Sequence, residues 1–497
     1  MALALTGLAA CATGTPDPFE ATAVYLDAIR DQPAKLDAFL RAFPKGGDLH
    51  NHLSGSIYAE DFIHWAIEDG LCIDKAKLAL APSPCTGNLV PAAAASHDRA
   101  LDTALVDALS MAGFKPDDET GHDHFFATFD RFAAAERTRE GDMLAEALRQ
   151  AARDHVLYLE LMWSPRMPQA RHLGKSVGWD PDLARLRQKL LAAGIDRILP
   201  KVRQMVIERE ARARLLLHCA EPARRDPGCA VTVRFLAQIV RVFPPEEVFA
   251  EDVLAFRLVE TDPDFVGLNI VGPEDDPTSL RDYTLHMRMF GYLHGLHPEV
   301  PMSLHAGELA PSLRRVQPGD LRFHIRQAVE IAHAQRIGHG VDIFHEDHWR
   351  QLMAEMAAKH ILVEINLTSN AMILGVTGEK HPFMTYWRAG VPVALSADDE
   401  GVERIDVTHE YVRATDEYHL SFAQLVTLSR NSIAYGFIPG ANLWRDLDHF
   451  IPVAACAVDR PGAPHPAAAC AAFLARSEKA RLQWRLEAAL ATFERRW

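Results

Sequence analysis

Eight short apolar segments, each followed by a longer stretch with helical periodicity, run through the middle of this chain and limit its architecture more than any other feature. They are 46–53 (GGDLHNHL), 155–163 (HVLYLELMW), 212–220 (RARLLLHCA), 266–272 (VGLNIVG), 302–308 (MSLHAGE), 336–342 (RIGHGVD), 361–369 (ILVEINLTS) and 391–398 (VPVALSAD). Helical patterns such as FHIRQAVEIAHAQ at 323–335 and WRQLMAEMAAKH at 349–360 separate them. Strands joined by helical crossovers lie parallel, and eight of them close a cylinder. An open doubly wound sheet is the alternative, but no G-x-G-x-x-G follows the first strand. The expected fold is therefore α/β, a (β/α)₈ TIM barrel.

The rest of the chain is arranged around that barrel. Residues 11–45 read as a helical lead-in, 46–440 as the barrel and 441–497 as a helical extension ending in EKARLQWRLEAALATFERRW. An insertion at about 60–150 follows strand one and holds an Ala/Pro-rich loop, APSPCTGNLVPAAAA, around Cys85. With 497 residues and no evident linker, one barrel with insertions accommodates everything. The net charge of −15, with no basic cluster, argues against a nucleic-acid polymer as partner. No run of 18 apolar residues is present to span a membrane. Oligomeric state is left open, a dimer among the options.

The first residues, MALALTGLAAC, resemble a bacterial lipoprotein signal: residues 1–10 form the removed part and Cys11 would be acylated. The missing Lys or Arg before the apolar run favours the alternative, a chance apolar start on a cytoplasmic protein. The other six cysteines fall as neighbours about 10 to 14 residues apart: Cys72 with Cys85, Cys219 with Cys229, Cys456 with Cys470. No C-x-x-C occurs, so local disulfides are expected rather than a zinc ribbon or redox motif. Such loops contribute on the order of 2–3 kcal/mol each and persist in oxidising compartments. The first two pairs are expected just after strands one and three. Box and pairing together point to export, with a lipid anchor on the periplasmic or outer cell face.

The chemistry concentrates at the strand ends. His50 and His52, at i and i+2 of a strand, face the same way. His305 and Glu308 end the fifth strand in HAGE, His339 the sixth in RIGHG, and Asp398 and Asp399 the eighth in SADD. Barrel active sites form where the C-terminal strand ends converge. Three imidazoles and a carboxylate suit Zn²⁺, whose bound water has a pKa of roughly 7. A glutamate one turn from a ligand is placed to shuttle protons.

These strings, PKGGDLHNHLSGS, SLHAGE, RIGHG, EINLTSN and LSADD in that order, resemble the adenosine deaminase family over roughly residues 44–400. The KGG and the stretch from EINLTSN to HPF look nearer its secreted, growth-factor-like branch. The resemblance implies one zinc per chain held by His50, His52, His305 and Asp398, and deamination of adenosine or a related 6-aminopurine nucleoside to the 6-oxo product. It implies that Glu308 protonates purine N1, His339 orients the attacking hydroxide, Asp399 meets N7 and the Gly272 N–H meets N3. Related hydrolases with two metals use a carbamylated lysine at the end of strand four, and VGLNIVG has none. Two positions depart from the family pattern: Ser54 stands where an acidic residue often meets the ribose, and Glu400 where proline often follows the aspartates. Adenine or deoxyadenosine is therefore the alternative substrate. The rivals are another hydrolysis on the same barrel and an exported binding module with a vestigial site. A cytidine-type deaminase would need P-C-x-x-C, which is absent.

Overall fold

The computed structural model describes residues 17–115 and 120–497. Eight parallel strands form the centre: β1 Gly46–His52, β2 Val156–Trp163, β3 Thr232–Val240, β4 Phe265–Val271, β5 Ser303–Ala306, β6 Arg336–His339, β7 Leu362–Ile365 and β8 Val393–Leu395. They pair in order as two four-stranded halves, β1 to β4 and β5 to β8. Two single bridges close the cylinder, Leu268 to Met302 between the halves and Asn51 to Asp398 between first strand and last. At that second seam the Asp398 N–H donates to the His50 carbonyl at 2.9 Å, and the His52 N–H donates to the Asp398 carbonyl at 3.2 Å. This is the (β/α)₈ barrel expected from the strand count.

The third strand is not where the apolar run suggested. Residues 212–216 finish the helix Leu199–Leu216, and β3 is Thr232–Val240. The LLL run continues a Glu/Arg/Ala-rich helical pattern whose buried face is Val202, Met205, Val206 and Ala213. A run of three apolar residues cannot by itself separate helix from strand. TVRFLAQIV, rich in β-branched residues, is the buried strand instead. The Cys219–Cys229 disulfide consequently lies before β3, on the approach to it, and not beyond it as expected.

All three cysteine pairs are joined: Cys72–Cys85, Cys219–Cys229 and Cys456–Cys470. Cys11 lies outside the described residues. The insertion holds a small antiparallel sheet of 72–74, 79–81 and 89–91, pinned by the first disulfide, followed by helices Arg99–Leu109 and Gly121–Glu136. The extension packs its last helix, Glu478–Glu494, against the lead-in, where Phe39 meets Phe493 and Trp497 edge-on at 4.9 and 5.4 Å. The lysine of PKGG is structural. Lys45 is fully buried, and its ammonium donates to the carbonyls of Leu40, Phe43 and Asp154 at 2.8, 3.2 and 2.8 Å, tying the lead-in to the start of β1.

Candidate active site

The ends of β1, β5 and β8 bring His50, His52, His305 and Asp398 together, with one donor atom from each lying within 4.8 Å of the others. Nε2 of His50 is 3.1 Å from Nε2 of His305, and Nε2 of both His50 and His52 lies 3.3 Å from Asp398 Oδ1. A tetrahedral zinc with bonds of about 2.0–2.1 Å separates its ligand atoms by about 3.3 Å, so the spacing fits.

The donor set also has the right protonation. Each of these three histidines has an acceptor behind its Nδ1: Glu364 Oε2 at 2.7 Å for His50, Gln238 Oε1 at 3.0 Å for His52, and Asn269 Oδ1 at 2.9 Å for His305. The His305 main-chain N–H donates to the same Asn269 oxygen at 3.0 Å, which fixes that amide's orientation. Each Nδ1 therefore carries a proton, which leaves Nε2 of each ring as the atom that would meet a cation beside the Asp398 carboxylate. Such a cluster calls for a cation.

Glycine makes room for the ring. A Cβ on Gly338, the first glycine of RIGHG, would come within 2.7 Å of the His50 ring. His339 and Asp398 adopt φ of +69° and +59°, left-handed backbone that non-glycine residues rarely take and that concentrates at functional sites. His339 Nε2 sits 3.7 Å from Asp398 Oδ2 and 3.9 Å from Glu308 Oε1. Burial holds the His339 imidazole down to about 3, so it is neutral.

Glu308 follows β5 on a turn held from behind. The Glu274 carboxylate accepts the N–H groups of Gly307 and Glu308 at 3.0 and 2.9 Å, and itself pairs with His324 Nδ1 at 2.5 Å and Arg241 at 3.6 Å. Arg241 is buried and donates to the carbonyls of Gly272 at 2.7 Å and His305 at 3.3 Å. One guanidinium thus joins the ends of β3, β4 and β5. Burial, helped by the nearby Asp398 carboxylate, pushes Glu308 well above the usual carboxylate range. Burial and Asp398 push Asp399 up to about 7, against the lowering effect of His52.

These groups open into a cavity of about 480 Å³ whose floor includes His52, Glu308, Asp399 and Gly272. Gly272 has φ of +94°, a conformation that suits glycine. The opposite wall comes from the insertion: Phe125, Phe126 and Phe129 of helix Gly121–Glu136. Thr120 caps that helix by accepting the Asp123 N–H, and His122 Nε2 meets Asp275 at 2.8 Å, which anchors the helix to the loop after β4. Neither Ser54 nor Glu400 lines the cavity, and Glu400 is buried.

The sequence places all eight expected site residues at strand ends; His52, Gly272, His305, Glu308, Asp398 and Asp399 line this cavity, and His50 and His339 pack against them from within the barrel. The structure adds Gln238, Arg241, Asn269, Glu274, His324 and Glu364, which sequence reasoning missed. Glu364 carried a signal, a charged residue inside the apolar strand ILVEINL, where an unpaired carboxylate would not be buried. The others are polar residues spread over two strands, the loops that follow them and the start of a helix, with nothing in the sequence to connect them.

The adenosine deaminase family model matches residues 85–448, all barrel strands after the first. His50 and His52 precede that stretch and join the site through the geometry of β1. An adenosine deaminase of Shewanella loihica is 41% identical over 113 residues, 22% of this chain and 33% of that one. One of Shewanella denitrificans is 36% identical over 138 residues, 28% of this chain and 38% of that one. The matched stretch spans about a third of the length of these relatives. Among solved structures, adenine deaminase from Arthrobacter aurescens superposes with a TM-score of 0.50 at 17% identity, covering 80% of this chain and 94% of that one. Arabidopsis ADAL complexed with IMP gives 0.50 at 20% identity, covering 80% and 93%. These two share the fold. With its family match running over well more than half its length, the chain belongs to the adenosine deaminase family.

Proposed function

We propose that this chain hydrolyses the 6-amino group of a 6-aminopurine nucleoside such as adenosine, with one zinc held by His50, His52, His305 and Asp398. The observation that carries the reading is the convergence of three imidazole Nε2 atoms and Asp398 beside Glu308, a buried acid raised well above the usual carboxylate range, at one cavity. Bound zinc lowers the pKa of its water to about 7 and so puts hydroxide at hand at neutral pH.

The chain's own groups do the rest. Glu308 gives its proton to N1 and makes C6 electrophilic. His339 offers an Nε2–H to the attacking oxygen. Asp399 holds a hydrogen bond to N7, for which one partner must carry a proton; an acid pushed up to about 7 supplies one. The Gly272 N–H meets N3, and the three phenylalanines keep water off the base. A C6–O bond forms, the C6–N bond breaks, and ammonia leaves with the protons taken up.

A neutral nucleoside suits the cavity better than a nucleotide. Of the acids that line it, Glu308 and Asp399 carry protons and Asp398 is a ligand in this reading, which leaves the Asp130 carboxylate, and among the described lining residues there is no lysine or arginine. A phosphate dianion would meet like charge without a counter-charge, a juxtaposition that costs several kcal/mol. Adenosine, deoxyadenosine, adenine and AMP should be assayed for ammonia. Adenosine is expected to turn over, with AMP at least about 10²-fold lower in kcat/KM by that cost. No ammonia from any of the four would refute the deaminase reading.

We further propose that the protein is exported and lipid-anchored at Cys11. Support comes from the LAAC box and from three disulfides of the kind oxidising compartments preserve. Mass spectrometry of protein from the native host should find an acylated Cys11 at the N-terminus and no free thiol before reduction. Six alkylated thiols without reductant, or an intact Met1, would mean a cytoplasmic protein.

A further inference from the structure

Four buried histidines crowd this site, with the ring of His50 centred 5.5, 4.4 and 4.8 Å from those of His52, His305 and His339. Three are ligands in the proposed reading, and His339 is not. The difference lies behind the rings. His50, His52 and His305 have acceptors at Nδ1. His339 has donors there: Asn370 Nδ2 at 2.9 Å and Asn366 Nδ2 at 3.4 Å.

The direction of those bonds follows from a group whose hydrogen is not in doubt. The main-chain N–H of Phe383 donates to Nδ1 of His381 at 3.2 Å, so that nitrogen accepts. Burial holds the His381 ring down to about 3, hence neutral, and its single proton is on Nε2. That N–H donates to Asn370 Oδ1 at 3.0 Å. With its oxygen committed, Asn370 turns its NH₂ to His339 Nδ1. The proton of His339 is then on Nε2, which has no hydrogen-bond partner among the described residues and faces Asp398 and Glu308. Asn370 and His381 are completely or almost completely buried, so water does not compete for these bonds.

We propose that the relay Phe383 N–H to His381 to Asn370 sets the tautomer of His339, and that the polarity of the group behind each Nδ1 sorts the four imidazoles into three metal ligands and one hydrogen-bond donor. Asn370 and His381 are positioning residues. They keep His339 from presenting a fourth lone pair to the cation and leave it an N–H for the attacking oxygen. This assigns a task to the EINLTSN and HPF strings, which supply Asn370, His381 and Phe383 and which the chemistry at C6 leaves unused. The proposal rests on the functional reading above, in which His339 acts as that donor.

The test is the ring ¹⁵N spectrum of the zinc-loaded protein labelled at histidine, with the His339 signals among the 24 histidines identified by their loss in His339→Ala. A bare Nδ1 and a protonated Nε2 are expected in the wild type; a bare Nε2 overturns the sorting, whatever the activity. Asn370→Asp keeps the shape but places an acceptor behind His339. It should move the proton to Nδ1 and lower kcat at least about 10²-fold with KM within about threefold, as a wrong imidazole tautomer costs about 10⁴-fold in a serine-protease triad. An unchanged tautomer or turnover within about threefold of wild type in Asn370→Asp refutes the relay. His381→Gln retains an N–H for Asn370 and should keep kcat within about tenfold, whereas His381→Phe should lose as much as Asn370→Asp. Equal losses in His381→Gln and His381→Phe would mean that His381 only fills space. Normal turnover of zinc-replete His339→Ala would instead overturn the role given to His339 itself, which the wild-type spectrum does not test.

Discussion

Glu308→Gln should bind its zinc as the wild type does and turn over at least about 10²-fold more slowly, the usual scale for loss of a general acid. The substitution preserves size and a hydrogen-bonding end group but cannot release a proton to N1. Glu308 is not in the ligand cluster, and its turn is held by Glu274 through main-chain N–H groups that the change leaves alone. Metal content measured beside kcat separates the two effects. Turnover near wild type in a zinc-replete variant would mean that another group protonates the base. The pH dependence has a definite sign. Burial and Asp398 raise this acid well above the ordinary carboxylate range, so its protonated form persists to higher pH than that of an ordinary carboxyl group, and activity falls as pH climbs past the raised value. The alkaline limb due to Glu308 should be missing in Glu308→Gln.

Removal of the metal should abolish turnover entirely, and about one zinc per chain should restore it. The argument is electrostatic as well as geometric. With Nδ1 of each ring committed to an acceptor, the three Nε2 atoms and Asp398 face one another across the place a cation would take. Asp398→Ala removes the charged ligand and should weaken zinc affinity by more than the 10- to 100-fold typical of changes one shell further out. Dialysis against chelator, elemental analysis and zinc titration measure both. Full activity in a metal-free preparation would end the proposal.

The groups that the proposed reading places at the reacting atoms are legible in the sequence because they sit in short strings at strand ends, where i, i+2 spacing in HNH and the clusters HAGE and ADD declare a shared face. The groups behind them are not. Arg241, Asn269 and Glu274 act on residues about 30 to 60 positions away, and only closure of the barrel makes them neighbours. The same limit explains β3. RARLLLHCA and TVRFLAQIV are both short and apolar, and the choice between them depends on which one β2 and β4 can pair with. The phenylalanines at 125, 126 and 129 read as an ordinary helix face. Their place opposite Glu308 depends on the His122–Asp275 contact, which no periodicity reveals.

The seam between first strand and last has one more consequence. A single bridge and two main-chain hydrogen bonds join β1 to Asp398, three residues past β8, and the residues on the β1 side are His50, Asn51 and His52. A cation gripped by His50 and His52 on one side and Asp398 on the other is a clasp across the line where the cylinder shuts. Ligand bonds and barrel closure are then one set of bonds, and the free energy of metal binding is also free energy of tertiary structure. Loss of the ion would loosen the wall at one of its two single-bridge seams, so chelation is expected to lower the thermal midpoint of the chain together with its turnover.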